Sequence, residues 1–235
     1  MSQKTVYVAF PSSDHLHQTT DGFIQRMGSS SARPEPATVE DIMGTFLDEA
    51  LHVFFTEPSQ LLGLSSSMQR LVHLTTETIS GATHIVVKRA SKKLDLKQNQ
   101  AAADYMDSMR IMVADGDGNE VWFVSFPISD AMASHAQSAI ELAEAGEMDQ
   151  ARPRLTDFLH ELTDVAMVWY FEEPMKLMGF GPVMRKISNI AVDTTRKASH
   201  SLIKKVIPKL DDQQLLKAAR FTDSLLVEGP KSDRV

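Results

Sequence analysis

A chain of 235 residues, 43% apolar and 23% charged, is composed like an ordinary globular protein and is long enough to bury a full core, which excludes the disordered and fibrous classes. It has no cysteine, so disulfides, thiol nucleophiles and thiolate-held metals or clusters are excluded, and a reducing, cytoplasmic setting is expected. With a net charge of −7, no secretory leader pattern at its start and no run of about 18 apolar residues, it is expected to have no membrane span.

The first element is a strand, β1 (5–10), whose Val6, Tyr7, Val8 and Phe10 are β-branched or aromatic and which Pro11 closes. Ser13 and Asp14 follow as helix caps, ahead of a polar, His-rich helix over 15–27 and a Gly-, Ser- and Pro-rich loop over 28–36. A helix over 39–55 shows apolar residues at Val39, Ile42, Met43, Phe46, Leu47 and Ala50, the spacing of one buried face. Pro58 ends or restarts it. The longest helix spans 65–92, with a break expected near Gly81, and a fourth, over 95–109, opens on Asp95 as cap. The strands β2 (110–114) and β3 (121–126) flank Asp115, Gly116, Asp117 and Gly118, the strongest short-range hairpin signal in the chain. The same stretch fails as an EF-hand calcium loop, because its twelfth position is Phe126, inside a predicted strand.

From β3 onward the chain repeats itself. At an offset of 116 residues and without a gap, about a quarter of positions 4–110 are identical to positions 120–226. Phe55, Glu57, Pro58, Leu61 and Gly63 fall on Phe171, Glu173, Pro174, Leu177 and Gly179, and His84, Lys88, Asp95 and Gln98 fall on His200, Lys204, Asp211 and Gln214. The expected organisation is therefore an internal tandem duplication, residues 1–116 and 117–235, with four helices in each half (130–145, 155–171, 182–207 and 211–225 in the second). The copy operation sends β1 to β3 and β2 to β4 (225–229). If β2 pairs with β3, a pseudo-twofold sheet must also pair β4 with β1. The expected fold class is α+β, helix-dominated, around a four-stranded antiparallel sheet of order β2-β3-β1-β4 that each half completes for the other.

Candidate chemistry lies on the long third helix of each half. At 100° per residue, Glu77, His84 and Lys88 share a polar side, and Asp193, His200 and Lys204 repeat it. His84 and Lys88 stand one turn apart, within reach of each other, whereas Glu77 is two turns from His84. These six residues are the candidate site for a small anionic ligand, with lysine supplying charge and histidine switching near neutral pH. The competing reading is a packing or solvated face. Basic residues crowd 70–97 and 185–209, which reads either as a weak contact for nucleic acid or anionic lipid, or as cations placed at helix C-terminal ends. The helix-end reading is preferred and nucleic acid disfavoured. His15 and His17 have no metal-ligand partners in the pattern, and Ala131 and Ala133 replace them in the second half. No P-loop, dinucleotide fingerprint or nucleophile elbow is present. The leading expectation is a non-catalytic binding or regulatory scaffold without cofactor or metal, for an unidentified partner, a protein or a small anionic ligand, and compatible with homo-oligomers; an enzyme or anionic-ligand sensor built on the six residues is the alternative.

Overall fold

In the computed structural model, which describes residues 4–92, 94–114 and 120–229, one antiparallel sheet carries all four strands in the order β2-β3-β1-β4. β1 (Thr5–Pro11) and β3 (Glu120–Pro127) are central; β2 (Arg110–Ala114) lines up on β3, and β4 (Leu226–Gly229) on β1. Each central strand thus takes its outer neighbour from the other half of the chain. The hairpin turn expected at 115–119 lies outside the described residues, but the strands on either side of it pair in register, Ala114 opposite Glu120.

Among the described residues, ten α-helices fall in two series. The first is α1 (Asp14–Met27), α2 (Pro36–Leu51), α3 (Glu57–Leu61), α4 (Ser66–Ser91) and α5 (Leu96–Ser108); the second is α6 (Asp130–Glu144), α7 (Met148–Met167), α8 (Glu173–Leu177), α9 (Pro182–Val206) and α10 (Asp212–Ser224). The local reasons recur as well. Ser13 and Ser129 each accept the amide three residues on, capping α1 and α6. Asp95 with Gln98, and Asp211 with Gln214, form capping boxes at α5 and α10. Gly63 and Gly179 take positive φ, 57° and 61°, just after α3 and α8, where a left-handed residue closes the helix.

Two expected boundaries differ. α4 is continuous through Gly81. The roughly 1 kcal/mol that glycine costs a helix interior is offset there by packing of α4 along α9 and α2. α7 begins at Met148 and carries Pro153 within it, seven residues before the expected start at 155. The carbonyl that Pro153 leaves unbonded belongs to exposed Asp149.

A feature absent from the sequence reading joins α2 to α3 and α7 to α8: a π-helical turn, His52–Thr56 in one half and Val168–Glu172 in the other. Its cause is the proline two residues beyond. Pro58 and Pro174 lack an N–H, and in a regular α-helix their rings would strike the carbonyl four residues back; the wider turn relieves that clash while the helix runs on. Glu57 and Glu173 donate their amides to the carbonyls of His52 and Val168, the five-residue bond of a π turn.

The cores interlock beyond the sheet. Leu62 and Leu64 of the first half are buried with Ala139, Ala143, Leu155 and Leu215 of the second, and Met178 and Phe180 of the second are buried with Phe23, Val39 and Ala102 of the first. Gln214, already in its capping box, donates its Nε2 to the Leu62 carbonyl at 2.9 Å, and Gln98 donates likewise to Met178. Beneath the sheet, Val8 and Phe126 pack on Met132, Phe158 and Leu162. Tyr7, Ala9 and Ile111, on the other face, pack on the sheet residues Val113, Phe123 and Val227.

Candidate functional site

The six polar candidates divide into groups that contact a neighbouring side chain and solvated cations. His84 sets Nδ1 3.1 Å from Ser80 Oγ and Nε2 3.7 Å from Asp48 Oδ1 on α2. His200 sets Nε2 3.4 Å from Asp164 Oδ1 and 3.3 Å from the His160 carbonyl, both on α7, with its ring 4.6 Å from that of His160. Asp48 and Asp164 stand at the same offset of 116 and are a repeated pair that the sequence reading passed over. Each histidine thus faces an aspartate of the neighbouring helix, not the acid on its own helix. Glu77 lies 3.4 Å from His73, and Asp193 lies 3.7 Å from Arg196, which also reaches Asp164 at 2.9 Å and Glu172 at 3.3 Å. Lys88 and Lys204 are exposed in the last turns of α4 and α9, where a cation favours the negative end of the helix. Among the described residues, no ion pair joins the first set of three to the second, and no three histidine, aspartate or glutamate side chains gather as a metal would require.

Two concave, largely apolar cavities lie beneath the sheet instead. The larger, about 210 Å³, runs between the halves and between α4 and α9; Phe54, Phe55 and Leu62 of the first half face Leu159, Leu202 and Phe221 of the second across it. The smaller, about 100 Å³, is enclosed by α1, α2 and α5 on one side and by the second π turn and α8 on the other. They are related by the offset of the two halves. Met43, Phe46, Tyr105 and Met109 of the smaller correspond to Leu159, Leu162, Phe221 and Leu225 of the larger, and Tyr170 and Met178 correspond to Phe54 and Leu62.

One aromatic ring from α2 and one from the second π turn stand between the cavities. Phe46 and Tyr170 line both, 4.8 Å apart and edge to face, so this pair is the partition. Tyr170 also meets Phe126 edge-on at 5.3 Å. Burial, with Tyr105 beside it, pushes the Tyr170 phenol far above its ordinary range, and it stays neutral. The Tyr105 hydroxyl donates to the Trp169 carbonyl inside the same π turn.

No protein-family model, curated protein or solved structure matches this chain. Among the described residues, no helix is long and apolar enough to cross a membrane.

Proposed function

We propose that the protein is a non-catalytic binding protein whose occupant is a small apolar molecule held in the larger cavity. The observation that supports this most is the wall of that cavity: a concave apolar surface furnished by both halves, with Phe54, Phe55 and Phe171 brought in by the π turns. Concave, mostly apolar spaces with a few placed polar groups are the usual form of a small-molecule site. At about 210 Å³ the larger cavity exceeds the roughly 150 Å³ of an apolar cavity that takes up benzene. The His–Asp contacts of α4 and α9 serve in this reading to fix the long helices against α2 and α7, and the cysteine-free chain fits a cytoplasmic setting.

The test is titration with N-phenyl-1-naphthylamine, whose emission rises in apolar surroundings, on the parent chain and on Ser199→Leu. Ser199 lines the larger cavity and is buried; leucine there occupies part of the space. Saturable binding at one site, weakened about tenfold or more in folded Ser199→Leu, is expected from the loss of about 1.4 kcal/mol of contact. A parent chain without saturable binding, or a folded variant binding as tightly as the parent, refutes the reading.

A further inference from the structure

Eight buried side-chain nitrogen or oxygen atoms among the described residues lack a hydrogen-bond partner, and half of them belong to three residues that line the smaller cavity: His17 Nδ1, Arg110 Nε and Nη1, and the Tyr170 hydroxyl. Buried polar groups are nearly always partnered, so a concentration of orphans around one cavity calls for a cause. Arg110 is the strongest case. Its side chain is only 9% exposed, its guanidinium carbon stands 5.0 Å over the Trp122 ring, and its Nη2 alone reaches carboxylates, Asp107 at 2.8 Å and Asp21 at 3.6 Å. Both aspartates are themselves substantially exposed, and neither bonds Nε or Nη1. His17 stacks on the same Trp122 ring at 5.1 Å. β2 and β3 set this up, because Arg110 and Trp122 are diagonal neighbours on the face of the sheet turned to the helices.

The other half of the chain supplies the control. At the offset of 116, Ser12, His17, Thr20, Tyr105 and Arg110 become Ile128, Ala133, Ala136, Phe221 and Leu226, and Tyr170 answers to Phe54. Every polar group at this end of the smaller cavity has an apolar counterpart. Ile128, Ala136 and Leu226 pack in one apolar cluster beside the sheet, and none of the three lines the larger cavity. A polar end was therefore not needed to build the fold at this place.

We infer that the smaller cavity takes a second kind of ligand, a short monocarboxylate whose apolar body lies among Ile42, Met43, Met106 and Met178 and whose carboxylate accepts hydrogen bonds from Arg110 and His17. This rests on the reading that the cavities hold small apolar molecules, and adds a head group to it. A carboxylate is the acceptor that gains most from a buried guanidinium, since charge-assisted bonds are roughly twice as strong as neutral ones. At about 100 Å³ the cavity is smaller than the roughly 150 Å³ that takes up benzene, which favours a short, slim chain over a ring, and hexanoate is the probe.

Both tryptophans of the chain report on this place: Trp169 lines the cavity and Trp122 carries His17 and Arg110. The experiment is therefore a titration of tryptophan emission at pH 7 with hexanoate and, as the neutral analogue, hexan-1-ol. Hexanoate is expected to bind about tenfold or more tightly than hexan-1-ol, because only the carboxylate forms charge-assisted hydrogen bonds. Arg110→Met is expected to bring hexanoate to the level of hexan-1-ol and leave hexan-1-ol within about twofold. Should Arg110→Met not fold, His17→Ala, matching Ala133 of the other half, is expected to weaken hexanoate several-fold and spare hexan-1-ol. Equal binding of the two by the parent chain overturns the carboxylate assignment and leaves the apolar reading standing. No saturable response to either overturns the assignment as well, and N-phenyl-1-naphthylamine binding then decides separately whether the apolar reading also falls.

Discussion

Thr195 offers a substitution that should strengthen the protein. The residue is 3% exposed on α9, lines the larger cavity, and its hydroxyl has no partner. Two other buried threonines show what is missing: Thr83 donates to the Ile79 carbonyl at 2.7 Å and Thr222 to the Ala218 carbonyl at 2.9 Å, each one turn back along its own helix. Thr195 makes no such bond, and its counterpart in the first half is Ile79, wholly apolar and buried. Thr195→Val keeps the branched shape and removes the hydroxyl. Protein mutational data put an unpartnered buried hydroxyl at about 1–3 kcal/mol, and valine is expected to recover about 1 kcal/mol of it. For a chain of this size that is a rise of about 2–4 °C in Tm. Urea unfolding checks it, with a higher midpoint at unchanged slope showing that stability and not exposed surface has changed. A midpoint equal to or below the parent's refutes the reasoning and means that the hydroxyl is satisfied by a group inside the cavity.

Other consequences are open to simpler tests. Gln214→Glu keeps the oxygen that accepts the Asp211 amide but cannot donate to the Leu62 carbonyl, so a loss of about 1–2 kcal/mol by urea midpoint is expected, from a buried acceptor left empty beside a new charge; a neutral result would show that the contact between halves adds nothing. Gly179→Ala meets open space around its new methyl group, so its expected cost of about 1 kcal/mol comes from the left-handed backbone alone, and an unchanged Tm would contradict it. The Arg26 guanidinium, bonded to both carboxylate oxygens, holds the Glu35 carboxyl below its ordinary value. A lowered folded-state pKa contributes stability above the unfolded value and loses it as pH falls through the folded one. Glu35→Gln should therefore be less stable than the parent by up to about 1 kcal/mol at pH 7, discounted for the half-exposed arginine, and the gap should close in acid. A gap that widens on acidification would reverse the assignment.

The strands, their order and the four main helices of each half were legible because each rests on local pattern: alternating or continuous apolar runs, serine and aspartate caps, and repetition at a fixed offset. The π turns were not, since nothing in the residues around Pro58 and Pro174 distinguishes a helix that stops at proline from one that widens to pass it. Gly81 misled for a related reason: its intrinsic cost is real, but the packing that overrides it comes from α9, more than a hundred residues away. The pattern of the third helix alone does not show which residues of neighbouring helices face His84 and His200. Asp48 and Asp164, a repeated pair one helix earlier, were the available signal. The cavities are a different matter, for a void belongs to no residue, and only the polar-to-apolar exchanges between halves, Arg110 against Leu226 and His17 against Ala133, carried a trace of one.

The exchanged outer strands and the crossed pairs Leu62 with Leu64 and Met178 with Phe180 bear on how the molecule comes apart. Withdrawing residues 1–116 would strip β3 of β2 and empty the middle of the opposite helical cluster in the same act, so no order of melting leaves one half intact. Hydrogen exchange in α5 and α10 should accordingly report a common opening energy. Because Thr5 lies opposite Gly229, the first and last strands are neighbours, and a short tether between these two residues would tie residues 5–229 into a ring without bending the sheet.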